Sequence, residues 1–352
     1  MIFLSCYHPL MGIPKGVDPE SGKMQYLIKS FPKNWTGDEH MDGIVTIPCG
    51  KCIGCRLDYS RQWANRCMLE MQYHDVAWFV TLTYDNAHVP MSWYTDPNTG
   101  EAFQAMTLRK KDFQKFIKRL RKAFPGDKIR YFAAGEYGDK HLRPHYHAII
   151  YGLHLDDLVV TNDYDSGDFT YYTSQKLQRV WDSGLDNFGV MCYDDDTKKN
   201  SISPATRGMT IIAPVNWQTC AYVARYVMKK QKGPASEVYS SHNIEPPFSL
   251  MSRKPGIGRQ YYDDHPDLYK YQSINISTEE GGRKFRPPKY FDRLRLQDNP
   301  DEYESLREFR RLAAQEKTTG KLAQTDNEYL AMLAVEERNQ EAALKSLERK
   351  LN

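Results

Sequence analysis

The segment from Arg143 to Tyr151 constrains the fold of this chain more than any other. Its alternating start predicts a β-strand that carries His145 and His147 on one face. Because the segment then becomes continuously apolar, we expect a central strand that ends at Gly152. Two imidazoles on one face of a buried strand can converge on one divalent ion. A pair of ordinary core histidines is the alternative.

A carboxylate close to these histidines favours the metal site. The preceding segment, residues 129–134, also predicts a strand, and Glu136 follows its apolar part. The short turn at residues 138–141 would join the two strands as a hairpin, which brings the Glu136 carboxylate to His145 and His147. One carboxylate and two imidazoles with open coordination positions suit a catalytic Mg²⁺, Mn²⁺ or Zn²⁺ better than a closed structural site.

Length and composition exclude several classes of protein. The 352 residues are enough for a sizeable core, in one large domain or two. No apolar run reaches membrane-spanning length and the start of the chain shows no leader, so we expect no membrane contact and a cytoplasmic location. Seven unevenly spaced cysteines argue against a disulfide framework. A net charge of +3 is too small to indicate nucleic acid without local basic clusters.

The chain before Arg56 is rich in proline and glycine, is predicted to be irregular, and ends in a cysteine cluster. Three cysteines follow one another at two-residue separations: Cys49, Cys52 and Cys55. Their thiolates can face one tetrahedral ion, and we expect Cys6 to be the fourth ligand, with His8 as the second candidate. Free buried thiols and an iron–sulfur cluster are the alternatives. No further cysteine follows at close spacing, which favours zinc.

Hydrophobic periodicity predicts an α+β fold. We expect helices over residues 56–74, 107–124, 172–181 and 217–230, and strands over residues 76–83, 188–193 and 209–212 besides the hairpin. Thr107 is expected to cap the second of these helices. The order of strand, helix, hairpin, strand and helix indicates a central antiparallel sheet flanked by helices.

Composition changes along the chain predict four segments. They are an irregular N-terminal segment with the cysteine cluster (residues 1–60), an α+β domain (61–235), a basic Pro/Gly-rich extension (236–298) and a charged helical tail (299–352). Apolar residues in the tail are spaced too irregularly to predict a coiled coil.

Basic residues form local clusters that could contact phosphates. The predicted helix at 107–124 carries cations opposite its apolar stripe, and three of them are our candidates for DNA contacts: Lys111, Lys115 and Lys118. A solvated surface is the alternative for this face. In the loop at residues 251–259, glycines beside Arg253 and Lys254 would let the backbone approach a phosphate, although the loop matches no defined phosphate-binding motif.

Two tyrosines of the predicted helix at 217–230 are candidate nucleophiles. Tyr222 and Tyr226 are four residues apart and share a face, which Lys229 continues. Arg225 adjoins this face and is a further candidate for a DNA contact. Such a stripe often belongs to a core instead. A free phenol has a pKa of about 10, so a nearby cation would be needed to stabilise the phenolate. A metal-polarised phosphodiester is an electrophile that this phenolate could attack.

These motifs together resemble the HUH endonucleases, the class that initiates rolling-circle replication. Three segments carry the resemblance: the strand Phe79–Thr83, the His-hydrophobe-His motif Pro144–His147 and the tyrosine helix Tyr222–Lys229. The paired tyrosines resemble those of replication initiators from small single-stranded DNA phages. Two further segments, Pro48–Arg56 and Ser252–Gly258, narrow the resemblance to gokushovirus-type microviruses. The similarity covers residues 45–260 and is weak in the tail.

The resemblance implies a site-specific single-strand DNA nickase and ligase with an RRM- or ferredoxin-like α+β fold. One tyrosine would attack the single-stranded or supercoiled viral origin and form a 5′-phosphotyrosine link, and the released 3′-hydroxyl would prime a host polymerase. The second tyrosine would cut the regenerated origin. Mg²⁺ or Mn²⁺ would act as Lewis acid without a nucleotide cofactor. A host helicase is a further expected partner, in the cytoplasm of the host bacterial cell.

The resemblance also implies roles for single residues. An acidic residue nine positions before the first histidine is a metal ligand in related viral initiators, and Glu136 holds that position. Tyr222 is expected to make the first cut, because single-tyrosine relatives place theirs at the start of this motif. Arg225 departs from the lysine that such phage helices carry, so Lys229 would replace that lysine in a proton transfer.

Two other classes of protein stay open at this point. One is a metal-dependent hydrolase that activates water, in which the tyrosines only pack. The other is a non-catalytic nucleic-acid-binding protein built on the cysteine cluster and the basic helices. A covalent adduct with DNA would separate the nickase from both.

Overall fold

A computed structural model describes residues 6–19, 24–32, 43–138, 141–161, 170–183, 190–194, 199–203, 206–229, 236–278 and 281–348. Within these ranges it describes the backbone alone of residues 190–194, 199–203, 225–229, 278 and 345–348. The chain divides into two compact units. One contains Met1–Tyr59 and Ser273–Asn352, and the other contains Ser60–Gln272. The four segments predicted from the sequence stay a prediction.

The strands are β1 (Leu10–Val17), β2 (Met24–Ser30), β3 (Val45–Ile47), β4 (Ala77–Leu82), β5 (Met91–Thr95), β6 (Ala102–Met106), β7 (Arg130–Tyr137), β8 (Pro144–Tyr151), β9 (Leu158–Thr161), β10 (Tyr171–Ser174), β11 (Val190–Asp194), β12 (Lys199–Ser203), β13 (Thr210–Pro214), β14 (Phe248–Met251), β15 (Ile274–Thr278) and β16 (Gly281–Phe285). The helices are α1 (Ile53–Met71), α2 (Lys110–Ala123), α3 (Gln175–Asp182), α4 (Trp217–Lys229), α5 (Glu237–Ser241), α6 (Arg259–Asp264), α7 (Lys289–Asp298), α8 (Pro300–Leu322) and α9 (Tyr329–Glu348). Within the described residues, every helix is too short or too polar to cross a lipid bilayer.

The unit Ser60–Gln272 is built on a seven-stranded sheet. Its strand order is β14-β7-β8-β4-β13-β10-β9, and every neighbouring pair is antiparallel. Strand β8 lies between β7 and β4 and is buried from Tyr146 to Tyr151. The prediction of a central antiparallel sheet with a buried His-Tyr-His strand is therefore confirmed.

Helices α2 and α3 cover one face of this sheet. The amphipathic helix α2 buries apolar residues at three- and four-residue spacing: Phe113, Phe116, Ile117 and Leu120. Helix α3 begins where the Ser174 hydroxyl accepts a hydrogen bond from the Leu177 N–H at 3.1 Å, and it adds Trp181 to the same core. Tyr146 of β8 faces these helices, so the large core of this unit lies on the side away from His145 and His147.

Helices α1 and α4 lie on the other face. Trp63 of α1 stacks on Phe132 of β7 with 4.6 Å between ring centroids. Helix α4 packs against β7 and β8. It begins at a reciprocal capping pair, in which the Thr219 N–H donates to Asn216 Oδ1 at 2.8 Å and the Asn216 N–H donates to Thr219 Oγ1 at 2.9 Å. This cap fixes where the tyrosine helix starts and which of its residues meet the sheet.

The other unit contains a sheet that the sequence did not predict. Strands β2, β1 and β3 form an antiparallel sheet, so the predicted irregular N-terminal segment is wrong. The prolines and glycines that suggested irregular structure are accommodated by a register shift between Pro14 and Gly16, where an extra residue leaves the ladder. At the other end of the chain, α8 and α9 confirm the predicted helical tail.

Smaller corrections concern element ends. Thr107 does not cap α2, because its hydroxyl accepts from the Glu245 N–H at 2.9 Å and Arg109 is the N-cap residue. The helix predicted at 172–181 is a strand, β10, followed by α3. Residues 188 and 189 of a predicted strand, and residue 230 of a predicted helix, lie outside the described residues.

Candidate active site

Strand pairing brings the three predicted metal ligands together. In the β7–β8 ladder Glu136 pairs with His145 and Ala134 pairs with His147, so all four side chains share one face of the sheet. Glu136 Oε1 lies 2.8 Å from His145 Nε2 and 3.1 Å from His147 Nε2. One ligand atom from each of the three residues falls within 4.8 Å of the others. This is the spacing that one small cation needs.

Hydrogen bonds at the far nitrogens orient both imidazoles. His145 Nδ1 lies 3.0 Å from the Arg143 carbonyl oxygen, which can only accept, so Nδ1 carries a proton. His147 Nδ1 lies 2.9 Å from the Thr81 hydroxyl of β4. Both rings therefore direct Nε2 toward Glu136, as metal-binding histidines with a fixed tautomer do. The role of Thr81 was missed, although strand alternation places Thr81 opposite His147 once β4 and β8 pair.

The electrostatics of Glu136 fit a cation. Its residue is 1% exposed, and burial alone would raise its pKa. The hydrogen bonds and positive charge of His145 and His147 outweigh this effect and lower the pKa of Glu136 to about 2. The carboxylate thus stays ionised and needs positive charge beside it. An oxygen and two nitrogens are a donor set that suits Mg²⁺, Mn²⁺ or Zn²⁺.

One candidate nucleophile lies against this group. Tyr222 of α4 is 41% exposed, and its ring centroid is 5.3 Å from that of His147 and 5.8 Å from that of Phe79. The backbone of α4 continues to Lys229, so Tyr226 begins one helical turn further along. The side chains of Arg225, Tyr226 and Lys229 lie outside the described residues.

The four predicted cysteine ligands also converge. One sulfur from each of Cys6, Cys49, Cys52 and Cys55 lies within 4.8 Å of the others, and Cys6 Sγ is 3.9 Å from Cys52 Sγ. Tetrahedral sites with Zn–S bonds of about 2.3 Å hold their sulfurs about 3.8 Å apart. His8, the second candidate for the fourth ligand, instead lies 2.6 Å from Glu337.

Backbone amides support charge on these sulfurs. The Cys49 N–H donates to Cys6 Sγ at 3.2 Å, and the Cys52 N–H donates to Cys49 Sγ at 3.3 Å. Burial raises the pKa of Cys49, but the N–H groups of Cys52 and Lys51 and the neighbouring thiols lower it below its ordinary value. Burial raises the pKa of Cys55 to about 11. A metal ion would supply the positive charge that four thiolates require.

The cations predicted to contact DNA lie away from the histidines. Three of them are exposed on α2, on the opposite face of the sheet: Lys111, Lys115 and Lys118. Arg253 and Lys254 are exposed in the loop after β14, where the Ser252 N–H donates to the Tyr131 carbonyl at 2.9 Å. Tyr131 lies near the start of β7 and Glu136 near its end. The structure therefore does not bring these cations to the candidate metal group.

The fold and this site define a class: an α+β protein with a carboxylate and two histidines on one sheet face and a tyrosine helix above them. The chain belongs to the family described as replication-associated protein ORF2, whose model matches residues 77–231. It is 34% identical over 263 residues to the replication-associated protein ORF2 of Spiroplasma virus 4, which covers 73% of this chain and 70% of the relative. The predicted resemblance to phage replication proteins is confirmed.

Two further relatives carry the same description. The chain is 27% identical over 265 residues to the replication-associated protein VP4 of Bdellovibrio phage phiMH2K, which covers 73% of this chain and 70% of the relative. It is 29% identical over 187 residues to the replication-associated protein ORF4 of Chlamydia phage 1, which covers 52% of this chain and 38% of the relative. No solved structure matches the chain.

Proposed function

We propose that this chain is a replication initiator that nicks one strand of the viral origin through a tyrosine and later rejoins it. Family membership supports a part in phage DNA replication. The observation that carries the chemistry is the contact between Tyr222 and His147, whose ring centroids are 5.3 Å apart. It puts a phenol within reach of the residues that would hold a divalent ion.

The residues divide the work of the reaction. Glu136, His145 and His147 would hold Mg²⁺ or Mn²⁺, which supplies Lewis-acid polarisation of the scissile phosphate when bound. Tyr222 attacks the phosphorus, the bond to the 3′ oxygen breaks and a 5′-phosphotyrosine bond forms. The phenolic proton leaves to solvent, and the 3′ oxygen takes up a proton in turn. Lys229 follows on the same helix as a cation that stabilises the phenolate.

Rejoining needs no nucleotide cofactor. The phosphotyrosine bond conserves the phosphoester, so a 3′-hydroxyl can attack it and restore the DNA strand. Tyr226 lies one turn from Tyr222 and would cut the regenerated origin while the first link still exists. The released 3′-hydroxyl would prime a host polymerase, with a host helicase opening the duplex, in the cytoplasm of the host cell.

A denaturing gel tests this proposal. Purified protein and Mn²⁺ are mixed with single-stranded oligonucleotides that tile the viral genome, each labelled at its 3′ end. We expect a labelled protein–DNA adduct that survives boiling in detergent. Tyr222→Phe and Tyr226→Phe should reduce the adduct unequally, and the double variant should abolish it. Tyr271→Phe is the matched control, because Tyr271 is 72% exposed and outside the site.

Two outcomes contradict the proposal. Cleavage without any adduct would assign the protein to the hydrolases that activate water. An adduct that persists in the double tyrosine variant would show that another side chain is the nucleophile.

We propose also that Cys6, Cys49, Cys52 and Cys55 hold a structural zinc ion. The convergence of the four sulfurs supports this, together with the N–H···S bonds that neutralise part of their charge. All four positions are filled by protein sulfurs, which is typical of a closed structural site rather than a catalytic one.

A further inference from the structure

A basic cavity lies beneath the face of the sheet opposite the candidate metal ligands. Its volume is about 420 Å³, within the range of small-molecule sites. Four of its lining side chains are cationic: Arg109, Lys115, Arg119 and Arg207. Asp112 is the acidic lining residue. The cavity therefore carries an excess of positive charge.

Two of the arginines are held side by side at the end of α3. Arg119 Nε donates to the Val180 carbonyl at 2.9 Å, and Arg207 Nε donates to the Trp181 carbonyl at 3.0 Å. A guanidinium has five N–H donors, so each arginine keeps donors for a ligand. Within the described residues, neither guanidinium forms an ion pair with a carboxylate. The two groups are thus fixed by neutral partners.

Charge repulsion between these arginines is visible in their acidity. Burial lowers the pKa of Arg119 and the neighbouring charge of Arg207 lowers it further, while Asp112 opposes the shift. The Asp112 carboxylate already accepts a hydrogen bond from the Tyr84 hydroxyl at 2.8 Å. An anion placed between the guanidinium groups would relieve the repulsion.

The wall of this cavity is attached to the strand that carries the histidines. Tyr146 stands between His145 and His147 in sequence and points to the opposite face. Its hydroxyl donates to the Arg109 carbonyl at 2.9 Å and accepts from the Arg109 N–H at 3.2 Å. The cavity therefore lies at the same end of the sheet as the candidate active site.

We propose that this cavity binds a phosphate group, either of the DNA strand next to the scissile phosphate or of a free nucleotide. Planar guanidinium groups match phosphate oxygens in paired hydrogen bonds. His88 is the one aromatic ring among the described lining residues, and its Nδ1 lies 2.8 Å from Asp85, so the site is built for phosphate rather than for base stacking. The DNA alternative rests on the proposed nicking function.

Equilibrium binding in EDTA tests the site without any cleavage. The variants are Arg207→Gln, Lys115→Gln and their double, and Lys122→Gln is the control, an exposed cation of α2 outside the cavity. A short fluorescent single-stranded DNA is titrated at several salt concentrations, and dATP and inorganic phosphate are titrated separately. For DNA, we expect the double variant to bind about tenfold more weakly, with a salt slope smaller by about 0.7 for each lost phosphate contact.

The two sources of phosphate give different results. If dATP and phosphate binding fall while DNA binding is unchanged, the ligand is a free nucleotide. If a folded double variant matches Lys122→Gln in every titration, the proposal is overturned. Lys115 is exposed, so Lys115→Gln alone keeps the test valid where Arg207→Gln unfolds the protein. Weaker DNA binding in the variants of a protein that forms no covalent adduct would refute nicking and leave this site standing.

Discussion

The ring of Tyr222 meets the imidazole of His147 edge-on, with 5.3 Å between their centroids and 77° between their planes. Phe79 stacks on the other side of the same imidazole, with 5.5 Å between centroids. The tyrosine helix is therefore positioned by the strands that carry the candidate metal ligands. A change at the histidines should alter metal binding and the reactivity of the tyrosine together.

Replacing both His145 and His147 with alanine should abolish metal-dependent adduct formation. Two of the three candidate ligands disappear, and Glu136 alone cannot hold Mn²⁺ tightly. Calorimetric titration with Mn²⁺ and the adduct gel measure the two effects. His141→Ala is the matched control, because His141 is exposed in the turn of the same hairpin. A double variant that nicks DNA at the normal rate would show that the metal site is misassigned.

Thr81→Val should weaken metal binding without removing a ligand. The Thr81 hydroxyl lies 2.9 Å from His147 Nδ1 and fixes the direction of Nε2. Loss of such an outer partner typically lowers metal affinity by about 10- to 100-fold. Thr173→Val, an exposed position on β10 of the same sheet, should leave the affinity unchanged. Equal Mn²⁺ affinities for both variants would remove Thr81 from the site.

Cysteine variants test the structural zinc. Protein dialysed against EDTA should keep about one zinc per chain by elemental analysis. Cys52→Ser should lose the zinc and lower the stability of its unit, because metal binding is coupled to folding. Cys67→Ala removes a buried thiol outside the quartet and should retain the metal. Folded wild-type protein without zinc, with four thiols that titrate freely, would contradict the assignment.

The sequence predicted those parts of the site that depend on local pattern. Alternation and a short turn were enough to pair Glu136 with His145, because neighbouring strands of a hairpin set their own register. Thr81 was missed because its pairing with His147 joins strands that are distant in the chain. The basic cavity was missed for the same reason, since Arg119 and Arg207 meet only after α2 and β13 have packed on α3.

Composition misled the prediction at the N-terminus. Proline and glycine disfavour strand interiors, yet β1 places Pro14 and Gly16 at a register shift that tolerates both. Cys6 was predicted as the fourth sulfur by counting thiols, whereas the exclusion of His8 needed its contact with Glu337, which is remote in sequence. Long-range contacts therefore mark the limit of what could be predicted.

Glu70→Gln should destabilise the protein in a pH-dependent way. The buried Glu70 carboxylate accepts hydrogen bonds from the Arg130 guanidinium and, at 2.6 Å, from the Gly258 N–H, which holds the loop after β14. Loss of one partner of a buried ion pair costs about 3–5 kcal/mol, and the amide of Gln retains part of this. Exposed Glu101→Gln is the control.

The pH dependence follows from the direction of the shift. Burial raises the pKa of Glu70, but hydrogen bonds from His74, Gly258 and Arg130 lower it below its ordinary value. Its contribution is therefore complete above the unfolded-state pKa of about 4.3 and is lost as the pH falls through the lower folded-state pKa. Urea unfolding should show the largest gap between wild type and Glu70→Gln near neutral pH. A gap that widens with acid would refute the charged state of Glu70.

Gly208→Ala should disturb both stability and the basic cavity. Gly208 has a φ of +146°, and a Cβ there would lie 2.3 Å from the Thr83 carbonyl oxygen, which is backbone and cannot turn aside. The strain should cost more than about 1 kcal/mol, which lowers the melting temperature by about 2–4 °C per kcal/mol in a domain of this size. Gly126→Ala is the control, because its Cβ would meet no atom within 4 Å. Since Arg207 immediately precedes Gly208, a folded Gly208→Ala protein should also bind single-stranded DNA more weakly, and identical melting curves for the two alanine variants would show that this close contact does not exist in solution.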